Sequence, residues 1–188
     1  MKHLAITLIF ILSVTIGYAQ ESNQKTNLTK KELRAQRKAE QAKKDSIYRY
    51  SAMNALKSAN WIFKATAITV SGSGTGYVAA NVNYLLIEDG MFTFQTSTGF
   101  GGGPNNMGGI TTKGLVKDME SSVDKRGNIT YTFKLLGTMF NATVTLNMQH
   151  DGNGGELFMN FDRGMGSIIM IGSVYPIGTT KIYEGGYN

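Results

Sequence analysis

The stretch from Phe140 to Met148 constrains the fold more than any other. Phe140, Ala142, Val144, Leu146 and Met148 alternate with Asn141, Thr143, Thr145 and Asn147. Successive side chains of an extended strand point to opposite faces, so this pattern is a strand with one face buried and one face wet. Ile129, Tyr131, Phe133 and Leu135 repeat it against Thr130, Thr132 and Lys134, and Val78, Ala80, Val82, Tyr84 and Leu86 form a third stripe. The alternation predicts strands near residues 61–70, 77–87, 91–96, 111–120, 129–136, 139–148, 156–161 and 167–175. Between them stand Glu88-Asp89-Gly90, Asp124 to Asn128, Gly137-Thr138, Asp151 to Gly155 and Asp162 to Gly166, all rich in residues that accept positive φ. Links this short favour antiparallel neighbours, because parallel strands need long crossovers. The expected fold is mainly β: an antiparallel meander of about eight strands, closed as a barrel or folded as a two-sheet sandwich. Ile168 to Ile171 is apolar on both faces, which predicts cover on both sides, with the helix end around Leu56 as one cover.

A basic helix is expected to precede the strands. No glycine occurs from Gln20 to Ser71, whereas 22 follow from Gly72 onward. Between Lys25 and Arg49 nine basic residues face only Glu32, Glu40 and Asp45, while Tyr50 to Asn188 carries nine basic and nine acidic residues. The basic character therefore belongs to one segment. Thr29-Lys-Lys-Glu32 fits a capping box, and the Ala, Lys, Arg, Gln and Glu that follow are good helix formers. Glu40–Lys44 and Asp45–Arg49 have the spacing of favourable ion pairs. Leu33 is the one bulky apolar residue from Lys30 to Ser46, whereas Tyr48, Ala52, Ala55, Leu56 and Ala59 share a later face. The first half of the helix should stand in water and the second half should pack on the core. A charge run of this kind serves either as a solvated face that keeps the domain soluble or as a binding surface, and for the latter Lys30, Lys31, Arg34, Arg37 and Lys38 are the candidate contacts to a polyanion. Nucleic acid is the poorer match, because no aromatic residues interleave with these cations, and membrane insertion lacks its Trp, Phe and Leu face.

The first residues read as an address. Lys2 and His3 precede an apolar run from Leu4 to Ile16, and Gly17-Tyr18-Ala19 places small residues at a cut between Ala19 and Gln20. The expected organisation is a signal peptide at 1–19, the basic helix at 20–59, the β domain at 60–183 and a tail at 184–188. No other apolar run approaches membrane length, so no transmembrane segment is expected after cleavage. The chain has no Cys. Lipid attachment behind the signal is thereby excluded, and a product free in the periplasm or outside the cell is expected.

Several short motifs occur in a characteristic order. Asn60-Trp-Ile-Phe-Lys64 opens the first strand, Asn83-Tyr-Leu-Leu-Ile-Glu-Asp-Gly90 follows, and Gly155-Glu-Leu-Phe-Met-Asn-Phe-Asp-Arg163 and Ile171-Gly-Ser-Val174 close the order. With the signal and the Lys/Arg/Ala-rich helix, this resembles the exported Bacteroidetes proteins grouped as domain of unknown function family 4251, over roughly residues 30 to 176. The resemblance implies export and a β-rich fold, and it brings no assigned activity or functional residues. Thr98-Gly-Phe-Gly-Gly-Gly-Pro104 stands where the family usually places leucine, proline and an aromatic residue.

The residues offer little catalytic chemistry. Without Cys there is no disulfide, thiolate metal site or cysteine nucleophile. After signal removal one histidine is left, His150, beside Asp151-Gly152 in a turn. No catalytic residue, metal site or cofactor is assigned. Asp151 to Asp162 fails as a calcium loop, because Glu156 stands at the glycine position and Leu157–Phe161 reads as a strand. The loop from Gly99 to Gly109 is the candidate ligand flap, with Phe100 and Met107 as apolar contacts. The expected function is an exported, non-catalytic binding or envelope-accessory protein. Its partner would be an apolar small molecule inside the barrel or an anionic envelope polymer at the helix. The alternative is an envelope glycan hydrolase using paired carboxylates, which two buried acids in one cleft would favour.

Overall fold

The computed structural model describes residues 29–72, 74–97, 104–105 and 107–185. The cut between Ala19 and Gln20 and the candidate contact Phe100 lie outside them. The chain divides into two compact units at Glu40. Among the described residues one α-helix, α1 (Lys30–Lys57), is followed by nine strands: β1 (Trp61–Val70), β2 (Thr75–Tyr77), β3 (Tyr84–Glu88), β4 (Met91–Gln95), β5 (Thr111–Val123), β6 (Ile129–Gly137), β7 (Asn141–Met148), β8 (Gly154–Phe161) and β9 (Ser167–Pro176).

The strands pair in the order β1-β3-β4-β5-β6-β7-β8-β9, every neighbour antiparallel, and β9 pairs back onto β1 from Trp61↔Pro176 to Val70↔Ile168. That last pairing closes an eight-stranded up-and-down barrel and decides against the sandwich. β2 is an extra strand on the far half of β1, with Ala67↔Tyr77 and Thr69↔Thr75. Closing the barrel forces one close approach. β1 shifts register between Ala65 and Ala67, opposite Gly172. A Cβ on Gly172 would lie 2.0 Å from the Lys64 carbonyl oxygen, so only glycine lets β9 run this near β1 there.

The alternation seen in the sequence sets the inside and outside of β6 and β7. Tyr131, Phe133, Leu135, Ala142, Val144, Leu146 and Met148 are buried, while Lys134, Thr143 and Asn147 are exposed. The interior of an eight-stranded barrel is either filled by its own side chains or wide enough for one small ligand. Here Trp61, Phe63, Phe92, Phe94, Phe133, Leu135, Leu146 and Leu157 belong to one core cluster, and each is almost wholly buried. Trp61 meets Phe133 edge-on at 5.8 Å and Tyr131 at 6.1 Å. The second half of α1 adds Ala52, Ala55 and Leu56 to the same cluster. Arg49 fastens it by donating to the carbonyls of Gln149 (2.7 Å) and Gly127 (2.6 Å), in the β7–β8 and β5–β6 links. The other end is stoppered by Phe140, edge-on to Phe94 at 5.6 Å and to Phe161 at 4.8 Å. An apolar inside and an outside bearing Lys113, Lys117, Lys134, Thr143, Asn147 and Glu156 is the reverse of a lipid-spanning barrel. Among the described residues no helix is long and apolar enough to cross a membrane.

Four expectations need correction. The stripe from Val78 to Leu86 is not one strand: residues 78–83 form a connection, and only Tyr84–Glu88 is β3. Its parity is also reversed, since Leu85 and Ile87 join the core cluster while Tyr84 and Leu86 lie on the other face. β9 is not covered on both sides, because Ile171 is 47% exposed. Arg49 spends its guanidinium on two carbonyls, and Asp45 accepts instead from the Gln41 amide at 2.8 Å.

After β9, residues 177–185 run back outside β1 and β3. Lys64 Nζ donates to Thr180 Oγ1 (2.7 Å) and to the Lys181 carbonyl (2.8 Å). Ile62 and Leu86 lie against this segment beside Ile177 and Ile182.

Candidate functional site, a cationic helical stripe

α1 starts as its sequence prescribes. The Thr29 amide donates to Glu32 Oε2 at 2.8 Å, and the Glu32 amide donates back to Thr29 Oγ1 at 3.3 Å. These bonds satisfy amides that a helix start would otherwise leave bare. The Thr29 amide first, and the Thr29 hydroxyl donating to the same Oε2 at 2.8 Å second, hold the Glu32 carboxyl below the usual range. Glu32 is thus engaged with the cap.

Every residue from Thr29 to Lys44 is exposed. At 100° per residue, Lys30, Lys31, Arg34, Arg37 and Lys38 fall within an arc of about 120° and a rise of about 12 Å. Lys30 with Arg34, and Arg34 with Lys38, are like charges four residues apart, which weakens a helix. Lys30 and Lys31 also sit at the positive end of the helix dipole, where cations are disfavoured. Helix stability does not account for this arrangement.

Met107, the described member of the expected flap contacts, is half-buried. Its amide donates to Asn105 Oδ1 at 3.0 Å and its carbonyl accepts from Ser97 Oγ at 2.6 Å. Around it lies a buried polar cluster that sequence reasoning missed: Asn83, Gln95, Ser97, Asn105 and Thr111, each at most 6% exposed. Gln95 Nε2 donates to the carbonyls of Val82 and Tyr183, and its Oε1 accepts from Thr111 Oγ1 and the Gly185 amide. Asn105 Oδ1 accepts from the amides of Met107 and Gly109, and its Nδ2 donates to the Thr96 carbonyl. Thr93 and Gln95, which alternate with Phe92 and Phe94, are buried on the opposite face, and the distant tail reaches Gln95 through Tyr183 and Gly185.

All nine acids from Glu88 to Glu184 are exposed. Asp124 and Glu156 share a cleft of about 870 Å³ on the outside of the barrel, with Arg126, Asn147 and His150. Asp124 accepts from Asn128 Nδ2 and from the amides of Asn128 and Arg126, each at 2.8 Å. Those bonds, Asn128's first, lower its pKa. A general acid needs the opposite shift. Among the described residues no three of His, Cys, Asp and Glu group as a metal site. The place expected for an apolar ligand, inside the barrel, is occupied by the aromatic and aliphatic core.

No curated protein matches the chain. A crystal structure of a DUF4251 family protein from Bacteroides eggerthii DSM 20697 is similar, with 29% sequence identity and a TM-score of 0.62, covering 74% of this chain and 94% of that one. The family model "Domain of unknown function (DUF4251)" matches residues 43–157. Its span runs from the anchoring half of α1 to the middle of β8, most of the barrel, and the chain belongs to the DUF4251 family.

Proposed function

We propose that the chain is an exported, non-catalytic accessory protein that binds an anionic polymer of the cell envelope through Lys30, Lys31, Arg34, Arg37 and Lys38. One observation carries this reading: five exposed cations gather on one face at the start of a helix, where their mutual repulsion and the dipole both oppose them. A polyanion laid along the stripe relieves both costs. The filled barrel supports an electrostatic ligand over an apolar one. The exposure of all nine acids from Glu88 to Glu184 supports a binding role over hydrolysis by paired buried carboxylates. Export to the periplasm or beyond is part of the proposal and rests on the residues from Lys2 to Ala19.

The test replaces all five cations with glutamine, which keeps helix propensity. Binding to heparin, an acidic polysaccharide probe, should be lost at low salt while the barrel's thermal transition stays unchanged. Undiminished binding by that variant refutes the proposal.

A further inference from the structure

We propose that residues 177–185 are a strap that latches the stem of the glycine-rich loop, so that strap and stem open and close as one unit. The strap is held at three places. Lys64 Nζ grips Thr180 and Lys181, the Tyr183 amide donates to the Asn81 carbonyl at 2.8 Å, and Lys113 pairs with Glu184 at 2.8 Å. Its tip then meets the loop stem through a shared acceptor. Gln95 Oε1 takes the Gly185 amide (2.8 Å) from the strap and Thr111 Oγ1 (3.0 Å) from the stem. Thr111 in turn takes Asn105 Nδ2 at 3.3 Å, and Asn105 holds the amides of Met107 and Gly109. Gly185 leaves no room between the two parts: a Cβ there would stand 2.5 Å from Met107 Cε and 2.9 Å from the Asn105 carbonyl oxygen.

The strap lies over the short pairing of β1 with β3, four positions long, beyond which β2 takes over the edge from Ala67. Beneath it Gln95 is fully buried with all its bonds made, and the Tyr84 hydroxyl is buried without a partner among the described residues. Lifting the strap exposes Gln95 and frees two of its bonds. With those two bonds gone, Gln95 is held less firmly against Thr111, and through Thr111 against Asn105. Because the coupling is a free energy between two parts, loosening the stem must loosen the strap equally.

Hydrogen exchange on the full chain tests both directions. Gly185→Val forces the tip off the stem without entering the core. The amides of Met107 and Gly109 should then exchange faster on the order of tenfold, as should Tyr183, while β6 to β8 keep wild-type protection. Asn105→Ala is the reverse test, and it leaves the strap sequence intact. Faster exchange at Tyr183 and Gly185 in that variant supports the latch even if Gly185→Val unfolds. Wild-type exchange at Tyr183 and Gly185 in Asn105→Ala, with Met107 and Gly109 loosened, overturns it.

Discussion

Phe133→Ala measures how far the barrel interior is a filled solid. Phe133 is 1% exposed, edge-on to Trp61 at 5.8 Å and tilted against Tyr131 at 5.7 Å. Truncating a buried Phe costs about 3–5 kcal/mol, and the cost rises when neighbours cannot close the void. The neighbours here stand on strands pinned into a closed ring, so collapse is restricted. Both ring contacts with Trp61 and Tyr131 are lost as well. A cost of about 4 kcal/mol is expected, equivalent to a fall in Tm of about 8–16 °C for a chain of this size. Trp61 is the one tryptophan of the chain and touches the site. Its emission therefore follows urea unfolding directly. Thr143→Ala, on the exposed face of the neighbouring strand and paired with Lys134, should stay within about 0.5 kcal/mol. A Phe133→Ala cost under about 1 kcal/mol, or a larger loss from Thr143→Ala, would refute the filled interior and the register with it.

Three further outcomes follow from the same geometry. Arg49→Met keeps the apolar stem and drops two charge-assisted bonds to Gly127 and Gln149, so urea unfolding should show a loss of about 1–3 kcal/mol. The carboxyl of Asp124 has a lowered pKa when folded, through Asn128 and the turn amides, so its contribution is present above the unfolded value near about 3.9 and fades as pH falls through that range. Stability measured between about pH 6 and pH 2.5 should decline towards acid, and Asp124→Asn should flatten that decline; an unchanged slope contradicts the assignment. Mass spectrometry of the exported product should find Gln20, or its cyclised form, at the N-terminus, and a product that retains Met1 contradicts export by signal cleavage.

How much was legible in the sequence differs from strand to strand for physical reasons. β6 and β7 have one face in the core and one in water, so their period of two reported inside and outside correctly. β3 has Leu85 and Ile87 in the core and Tyr84 and Leu86 under the strap. With both faces covered, its apolar run carries no parity, and the stripe drawn through Val78 and Val82 took the wrong one. Ile171 shows the converse, an exposed apolar residue that looked like evidence of cover. The capping box was readable because both partners lie within four residues. The buried cluster of Gln95, Asn105 and Thr111 was not, because Gln95 is buried by Tyr183 and Gly185, about ninety residues away along the chain. The five cations of the stripe stood out by composition, and the helix added what the sequence count lacked: one shared face.

The most direct test of the central claim is the salt dependence of heparin binding by the unaltered chain. Exposed charges interact across a Debye length of about 10 Å at 0.1 M salt and about 3 Å at 1 M. Affinity read by isothermal titration should therefore fall more than about tenfold between roughly 0.05 M and 0.5 M NaCl, as five exposed cationic contacts are screened together. Affinity that holds constant across that range would place recognition away from Lys30, Lys31, Arg34, Arg37 and Lys38, and the account of this protein as an electrostatic binder would be wrong.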